Sequence, residues 1–420
     1  MVSIEHSIAS ARVRLEDALA WIDGQVRSLP AEDIRVAHAL GRVLAHDVTT
    51  EVDVPAFDRA AVNGLAVRAD ETVGASVYNP LSLRTVEGHD DLPQAAGVLV
   101  RVGDPLPPGA DAVAPPDQLA DTCDGACNIL EPVVAGASVE RTGSQAVRGS
   151  RLVQAGRKVR PADIGLLVAA GIGQVPVVRR PRVRCVLAGH DVIEAETPLP
   201  LGAVYDADGP LLASLVSRDG GLVIDQRRVD RSMTAIGEAI VSAGADVILV
   251  AGGSGSDVDD HAAAALAADG MVAIHGVALR PGDTVGMGLT TSGALVFLLP
   301  GTPVACLWAY ELLTGRAVRG LGGLDRSLPF PSRMMTTGRK IVSEVGMTEV
   351  CPVRRMDEHT IEPLASFAEA GLGAAIEADG FVILPEGSEG YAQGALVLVY
   401  LYDEASSHLA VASVPSHERH

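Results

Sequence analysis

The chain has 420 residues, of which 53 are acidic and 33 basic, so its formal net charge is −20. An acidic excess of this size disfavours binding to nucleic acid or to an anionic membrane surface. No apolar run reaches transmembrane length and the first residues show no signal-peptide pattern, so we expect a cytoplasmic protein of about two to four domains.

The N-terminal part predicts two helices followed by an extended segment. Apolar residues recur at helical spacing between residues 7 and 27. A second, short helix is expected from Pro30 to just before Gly41, and residues 42–54 are expected to be extended. Residues 147–182 contain Pro161 at the expected first turn of another helix. We expect residues 1–50 and 147–182 to form one mixed domain.

Two parts of the chain have the composition of small β domains. Residues 51–146 are rich in glycine and proline and contain short strand-like runs at 81–86 and 97–102. Residues 330–405 have the same texture. We therefore expect an inserted β-rich domain at 51–146 and a C-terminal β domain at 330–405.

Residues 183–323 alternate between strand-like and helix-like segments. The expected strands are 183–187, 222–229, 247–251, 271–279 and 294–299. The expected helices are 210–218, 233–243, 262–268 and 304–313. This alternation predicts a doubly wound α/β domain with a parallel sheet, whose ligand site lies at the carboxyl ends of the strands.

The loop that follows the strand at 247–251 is the most informative stretch of the chain. It contains Gly252, Gly253, Ser254, Gly255 and Ser256, and it leads through three aspartates into an alanine-rich helix. Glycines permit positive φ and let backbone N–H groups approach an anion at a helix N-terminus. The aspartates make sense in such a loop if a divalent cation also binds. The same residue types also fit an ordinary turn with capping aspartates.

Seven segments carry a resemblance to a known family. They are Val-Pro-Ala-Phe-Asp at 54–58, Ala-Val-Asn-Gly-Leu-Ala-Val at 61–67, the Pro- and Gly-rich loop 103–113, Gly-Ala-Val-Tyr-Asp at 202–206, the glycine loop with its strand at 246–260, Arg-Pro-Gly at 280–282 and Leu-Pro-Gly-Thr-Pro-Val at 299–304. In their order and spacing these segments resemble the molybdopterin molybdenumtransferases, or molybdenum insertases, which include the gephyrin E domain. The resemblance implies a multidomain α/β and β fold with a central doubly wound molybdopterin-binding domain.

The resemblance also implies an activity in molybdenum cofactor biosynthesis. Members of the family cleave the phosphoanhydride of adenylylated molybdopterin, release AMP and transfer molybdenum from molybdate to the dithiolene, assisted by Mg²⁺. The implied ligands are therefore molybdopterin or its adenylylated form, molybdate and Mg²⁺. The implied assembly is a homodimer, with a molybdoenzyme or another protein of the cofactor pathway as a possible partner, and with neither nucleic acid nor a membrane.

Matching this family's motifs to the chain yields a set of candidate site residues. Asp230, Asp260, Asp191 and Asn63 are the catalytic candidates, and Asp260 and Asp230 are also the candidate metal ligands. The candidate ligands of the pterin nucleotide are Gly252, Gly253, Ser254, Gly255, Ser256, Arg280, Pro300, Gly301 and Thr302. Arg280 is the expected cation for a phosphate, because these loops contain little else that is basic. As alternatives, Asn63 fits a turn residue, and Asp230 and Asp260 fit helix caps.

Three of the departures from the family pattern change the charge at positions that its chemistry uses. Asn63 and Gln145 stand where the family has acids, and Asp283 stands where it has a lysine. An amide keeps a metal-ligating oxygen but loses its charge, and Asp283 would repel a phosphate. Two functions therefore stay open: a divergent molybdenum insertase, or a catalytically weakened molybdopterin-binding homologue that acts as a cofactor carrier or binds a partner protein.

Overall fold

The structure, a computed structural model, describes residues 12–88, 90–120, 125–189 and 192–403. The chain divides into two compact units. One unit is Ala31–Val178, and the other combines Met1–Pro30 with Arg179–His420.

The unit Ala31–Val178 is built on a six-stranded sheet. In spatial order its strands are Ala112–Ala114, Gly64–Val67, Ala96–Val100, Leu81–Val86, Ala126–Ile129 and Leu119–Ala120. Two buried apolar clusters contain residues of this sheet. Leu65 and Ile129 belong to one cluster, and Ala66 and Val98 belong to the other. The expected inserted β module is therefore present as a sheet between two flanking segments.

The segments that flank this sheet in the chain pair with each other. Ala31–Arg35 runs antiparallel to Gln174–Val178, and Val48–Thr49 pairs with Arg151–Val153. The helix expected at Pro161 is confirmed as Pro161–Ala169. The helix expected from Pro30 is wrong: Ala31–Arg35 is a strand, followed by a single 3-10 turn. Pairing with a segment about 140 residues away overrides the local helix preference.

The other unit contains the expected α/β domain, whose sheet has six strands. We label them β1 (Arg182–Ala188), β2 (Leu222–Val229), β3 (Val247–Ala251), β4 (Gly270–His275), β5 (Gly286–Thr290) and β6 (Leu295–Leu299). Their spatial order is β2-β1-β3-β6-β5-β4. The strands β2, β1, β3 and β6 run parallel to one another.

The central strands of this sheet are buried on both faces. Cys185, Leu249 and Phe297 belong to one apolar cluster, and their neighbours Val186 and Ile248 belong to another. The helices Met233–Val241 and Ala262–Asp269 cover the second cluster, while Leu15–Gln25, Asp208–Arg218, Pro303–Ala309 and Gly315–Leu321 cover the first. Helices on both faces explain why these strands are continuous apolar runs rather than alternating ones.

The sheet differs from the sequence-based expectation at one edge. The unpredicted strand β5 runs antiparallel to β6, and β4 runs antiparallel to β5, so the sheet is mixed rather than wholly parallel. The single strand expected at 271–279 is divided at Gly276, whose φ is +87°, into β4 and the short strand Leu279–Arg280. The helix expected at 304–313 begins at Pro303 and continues through a π-helical turn, Tyr310–Thr314, to Leu321.

The last part of this unit is a closed β-barrel. Its five strands are Ser332–Thr337, Thr348–Arg355, Thr360–Pro363, Gly380–Leu384 and Leu396–Leu401, and each pairs with two others. Leu279–Arg280 adds to the barrel beside Thr348–Arg355. Two short helices, Phe367–Ala370 and Leu372–Glu377, lie between barrel strands in the chain.

The expected fold class is confirmed: a central α/β domain, an inserted β module and a C-terminal β domain. The finer domain boundaries at 50, 146 and 182 stay predictions. Within the described ranges, no helix is both long enough and apolar enough to cross a membrane.

Candidate functional site

A cleft of ≈ 630 Å³ opens at the carboxyl ends of the parallel strands. The register pairs Leu187 with Ala251 and Ala251 with Leu299, so β1, β3 and β6 end level. The residues that line the cleft are Ala188, Gly189, Val192, Gly202, Val204, Arg231, Gly252, Gly253, Ser254, Gly255, Asp260, Asp283, Thr284, Pro300, Gly301, Thr302 and Ala305. The cleft lies where β1 and β3 adjoin and the chain changes direction across the sheet, the usual ligand position in such domains.

Glycines shape the floor of this cleft because backbone segments approach closely there. Gly252 has φ of +94°, and a Cβ at this position would lie 2.3 Å from the carbonyl oxygen of Ala188. A Cβ at Gly255 would lie 2.2 Å from Oδ2 of Asp260. A Cβ at Gly301 would lie 3.1 Å from Cα of Gly252. A side chain at any of these positions would force the neighbouring backbone or Asp260 to move and would change the shape of the cleft.

The glycine loop is tied to the elements around it. The N–H of Ala262 donates to the carbonyl oxygen of Gly253 over 3.0 Å. Nε2 of His275 lies 2.8 Å from the carbonyl oxygen of Ser254, and because a carbonyl only accepts, this nitrogen carries the proton. The Ser254 hydroxyl, 3.2 Å from that of Thr284, completes the link to the loop before β5. These contacts hold the loop in one shape.

Arg231 and Asp260 form an ion pair at the cleft. Nη2 of Arg231 donates to Oδ1 of Asp260 over 2.7 Å, and the Asp260 side chain is only 9% exposed. The backbone N–H of Asp257 donates to Oδ2 of Asp260 over 3.2 Å. Asp260 therefore joins the loop after β2 to the glycine turn after β3.

Sequence reasoning missed Arg231 as a cleft residue. It follows Asp230 directly after β2, whose end lies at the same edge of the sheet as the glycine loop. A search for basic residues within two positions of each expected strand end would have found it.

Two other charged residues near the cleft are also paired. Oδ2 of Asp283 lies 2.5 Å from Nη2 of Arg12, so an arginine offsets the charge that would repel a phosphate. Nη1 of Arg280 donates to Oε2 of Glu344 over 2.6 Å. Arg280 does not line the cleft.

Comparisons with known proteins match this architecture region by region. Residues 13–171 match the MoeA N-terminal region (domain I and II), residues 185–319 a probable molybdopterin binding domain, and residues 335–402 the MoeA C-terminal region (domain IV). The chain is 30% identical over 319 residues to molybdopterin molybdenumtransferase 2 of Mycobacterium tuberculosis, an alignment that covers 72% of this chain and 78% of that protein. The chain belongs to the molybdopterin molybdenumtransferase family.

Further relatives extend the similarity over nearly the whole chain. Molybdopterin molybdenumtransferase of Bacillus subtilis is 27% identical over 403 residues, 89% of this chain and 90% of that protein. The crystal structure of the molybdopterin biosynthesis MoeA protein from Pyrococcus horikosii superposes with a TM-score of 0.76 at 29% identity. That match covers 93% of this chain and 99% of the other. The family resemblance inferred from the sequence is confirmed.

The structure brings together many of the residues that the family motifs indicated. Gly252, Gly253, Ser254, Gly255, Pro300, Gly301, Thr302 and Asp260 line the cleft, whereas Ser256, Arg280 and Asp230 do not. Asn63 belongs to the other unit, where its Oδ1 accepts the N–H of Val102 over 2.9 Å. Asp191 lies outside the described residues. The role of each of these residues in the reaction stays a prediction.

The Mg²⁺ that the family resemblance implies does not fit the donors that the structure describes in this cleft. Within the described part of the chain, His, Cys, Asp and Glu side chains form no group of three or more that could hold a metal ion. Both carboxylates that line the cleft, Asp260 and Asp283, are bound to arginines.

Proposed function

We propose that this protein is a molybdopterin molybdenumtransferase of molybdenum cofactor biosynthesis. It would transfer molybdenum from molybdate to adenylylated molybdopterin and release AMP. The observation that carries the proposal is the glycine-floored cleft at the strand ends, which lies within the region similar to a probable molybdopterin binding domain.

The cleft offers the groups that phosphoanhydride cleavage requires. The turn at Gly252 and Gly253 brings backbone to the surface of the cleft, and Ser254, Thr284 and Thr302 are lining residues that carry hydroxyls. Donors held in fixed positions stabilise the negative charge that develops on the phosphate as AMP leaves. The loop does not have to reorganise for this, because it is already held by Ala262 and His275.

A cofactor carrier with little turnover is the alternative function. The arguments for it are the replaced acids and the reversed charge at Asp283. The pairing of Asp283 with Arg12 weakens that argument, since the phosphate would meet a compensated carboxylate. The names of the curated relatives favour a transferase.

The proposal includes a homodimer that acts on a small-molecule pterin nucleotide. Light scattering of the purified protein at micromolar concentration measures the assembly. A monomer at that concentration would rule the homodimer out and would leave the ligand assignment untouched.

AMP release measures the proposed activity. The purified protein is incubated with adenylylated molybdopterin, molybdate and Mg²⁺, and AMP is quantified over time. We expect release above the rate without protein, and we expect Thr302→Val, which removes a cleft hydroxyl, to lower kcat/KM about tenfold. Thr336→Val, a matched change in the barrel strand Ser332–Thr337, should leave the rate unchanged.

The outcomes separate the two functions. AMP release at the background rate, with the substrate nevertheless bound, would favour the carrier. Absence of both release and binding would reject the assignment of this cleft to the pterin nucleotide.

A further inference from the structure

Each carboxylate among the described lining residues of the cleft is held by a guanidinium. Asp260 accepts from Arg231 over 2.7 Å and Asp283 from Arg12 over 2.5 Å. Among the described residues that line the cleft, the cation is Arg231, because Arg12 contacts Asp283 from outside the lining set. The cation that a phosphate would meet among these residues is therefore Arg231, whose charge Asp260 partly offsets.

The bonds of Asp260 disfavour a role as a metal ligand. Its Oδ1 is bound by Arg231 and its Oδ2 by the N–H of Asp257. Charge-assisted hydrogen bonds of this kind are strong, and a divalent cation would have to displace a guanidinium to reach Oδ1. It would also leave that guanidinium beside the metal, where two positive charges repel.

The donors of Arg231 suit an oxyanion. A guanidinium carries five N–H donors in a planar fork that matches phosphate oxygens, and the bond to Asp260 uses only one. The Arg231 side chain is 37% exposed, so a ligand in the cleft can reach it. Its Nε is shielded from solvent and has no hydrogen-bond partner within the described part of the chain. A ligand in the cleft would therefore bind the Nη groups, because an atom that solvent does not reach is also closed to a ligand.

We propose that Arg231 binds the phosphate of the pterin nucleotide directly, without a bridging metal ion, and that Asp260 holds the guanidinium in place for it. This inference rests on the proposed function, because it takes the cleft as the site of the nucleotide. Asp260 has two effects here: it orients Arg231, and its charge competes with the phosphate. Neutralising Asp260 should therefore strengthen phosphate binding, whereas neutralising a metal ligand would weaken it.

Calorimetry with AMP and adenosine as probes tests this role. AMP carries the phosphate and adenosine lacks it, so a difference between the two isolates the phosphate contact. In EDTA we expect the wild-type protein to bind AMP, and added Mg²⁺ to change Kd by less than about twofold. Arg231→Gln should weaken AMP binding by about tenfold or more and leave adenosine binding unchanged. The AMP affinity of Arg231→Lys should lie between those of the wild type and Arg231→Gln.

Two other arginines complete the experiment, one as a matched control and one as the rival phosphate ligand. Arg227 lies in β2, is 40% exposed and pairs with Asp225, so Arg227→Gln should leave AMP affinity within about twofold of wild type. Arg280→Gln tests the cation expected from the sequence. A larger loss at Arg280 than at Arg231 would overturn the inference in favour of the sequence-based assignment.

Asp260→Asn gives the sharpest result. We expect tighter AMP binding in EDTA, by about threefold to tenfold, since Asn keeps an acceptor for Arg231 without the charge. Weaker binding that appears only with Mg²⁺ would identify Asp260 as a metal ligand and overturn the inference. So would AMP binding that requires Mg²⁺, unchanged affinity in Arg231→Gln, or no detectable binding of AMP. Urea unfolding of each variant confirms that it is folded.

The two proposals fail separately. Unchanged AMP affinity in Arg231→Gln, together with AMP release from the full substrates, would reject the role of Arg231 and leave the transferase function standing. Arg231-dependent AMP binding without release from the full substrates would retain the phosphate site and reject the transferase function.

Discussion

Arg12 and Asp283 lie 271 positions apart in the chain, and Nη2 of the first is 2.5 Å from Oδ2 of the second. The family resemblance implies a lysine at position 283, and on its own Asp283 would repel a phosphate in the cleft. The pair moves the effective charge at this position back toward neutral. Both side chains are partly exposed, at 51% and 42%, so the effect is modest and depends on salt.

A double-mutant cycle measures this compensation. At low salt we expect Arg12→Gln to weaken AMP binding by about twofold to fivefold and Asp283→Asn to strengthen AMP binding by a similar factor. The double variant should bind nearly as the wild type does. Arg14→Gln is the matched control, because Arg14 is 53% exposed but pairs with Glu16 and Asp17. Equal effects of Arg12→Gln and Arg14→Gln would show that only the net charge matters.

Gly252 should be intolerant of a side chain. Its φ of +94° and the carbonyl oxygen of Ala188, 2.3 Å from the added Cβ, leave no room for alanine between two buried strands. We expect Gly252→Ala to destabilise the protein by about 2–4 kcal/mol. A Cβ added at Gly237, in the helix Met233–Val241, would meet no atom within 4 Å, so Gly237→Ala should stabilise by about 0.5–1 kcal/mol. Urea midpoints, followed by circular dichroism, measure the stability of both variants. Midpoints that shift in the same direction in Gly252→Ala and Gly237→Ala would contradict the argument.

Stability should fall with rising pH because of Asp208. Burial raises the pKa of this carboxyl from 3.8 to about 7, the hydrogen bond with Cys306 lowers it, and repulsion from Asp206 raises it further. Between about pH 4 and pH 7 the folded chain therefore keeps a proton that the unfolded chain has lost, so this group's contribution to stability falls as pH rises through that window.

Replacing Asp208 should remove this pH dependence. We expect Asp208→Asn to be more stable than wild type by about 1–3 kcal/mol at pH 8 and equally stable near pH 4. Asp117→Asn, at an exposed position of the other unit, controls for the loss of one negative charge. Unfolding free energies from urea titrations across the pH range provide the measurement. A constant difference between Asp208→Asn and wild type at all pH values would refute the prediction.

Replacing Asp283 by the lysine that the family resemblance implies should raise turnover. We expect Asp283→Lys to increase AMP release, because exchanging a negative for a positive charge beside the phosphate contributes about 1 kcal/mol or more. Asn63→Asp and Gln145→Asp add carboxylates that could assist only through a metal ion, so these two changes should leave the rate unchanged. Asp at position 63 keeps an oxygen that can accept the N–H of Val102, so this change should preserve the loop. Asn128→Asp, in the strand Ala126–Ile129, is the control. If the wild type already matches an intact relative in rate, the weakened-site hypothesis is wrong.

Local patterns in the sequence predicted much of the fold and the floor of the site. The strands Leu222–Val229 and Val247–Ala251 were predicted with their observed bounds. A buried parallel strand is a continuous apolar run, and the glycine loop after it needs backbone freedom that only its own residue types supply. The placement of this loop at the strand ends then follows from the general topology of doubly wound sheets.

Long-range pairing decided the rest. Ala31–Arg35 forms a strand only because Gln174–Val178 pairs with it. The glycine-containing segment β5 forms a strand because it pairs with β6. The charges of the cleft have the same origin. Arg231 meets Asp260 because two strand ends lie at one edge, and Arg12 meets Asp283 across 271 positions. Local residue types set the backbone conformation of each segment, whereas the partner of a charged side chain depends on which distant segments the folded sheet brings within a few ångströms.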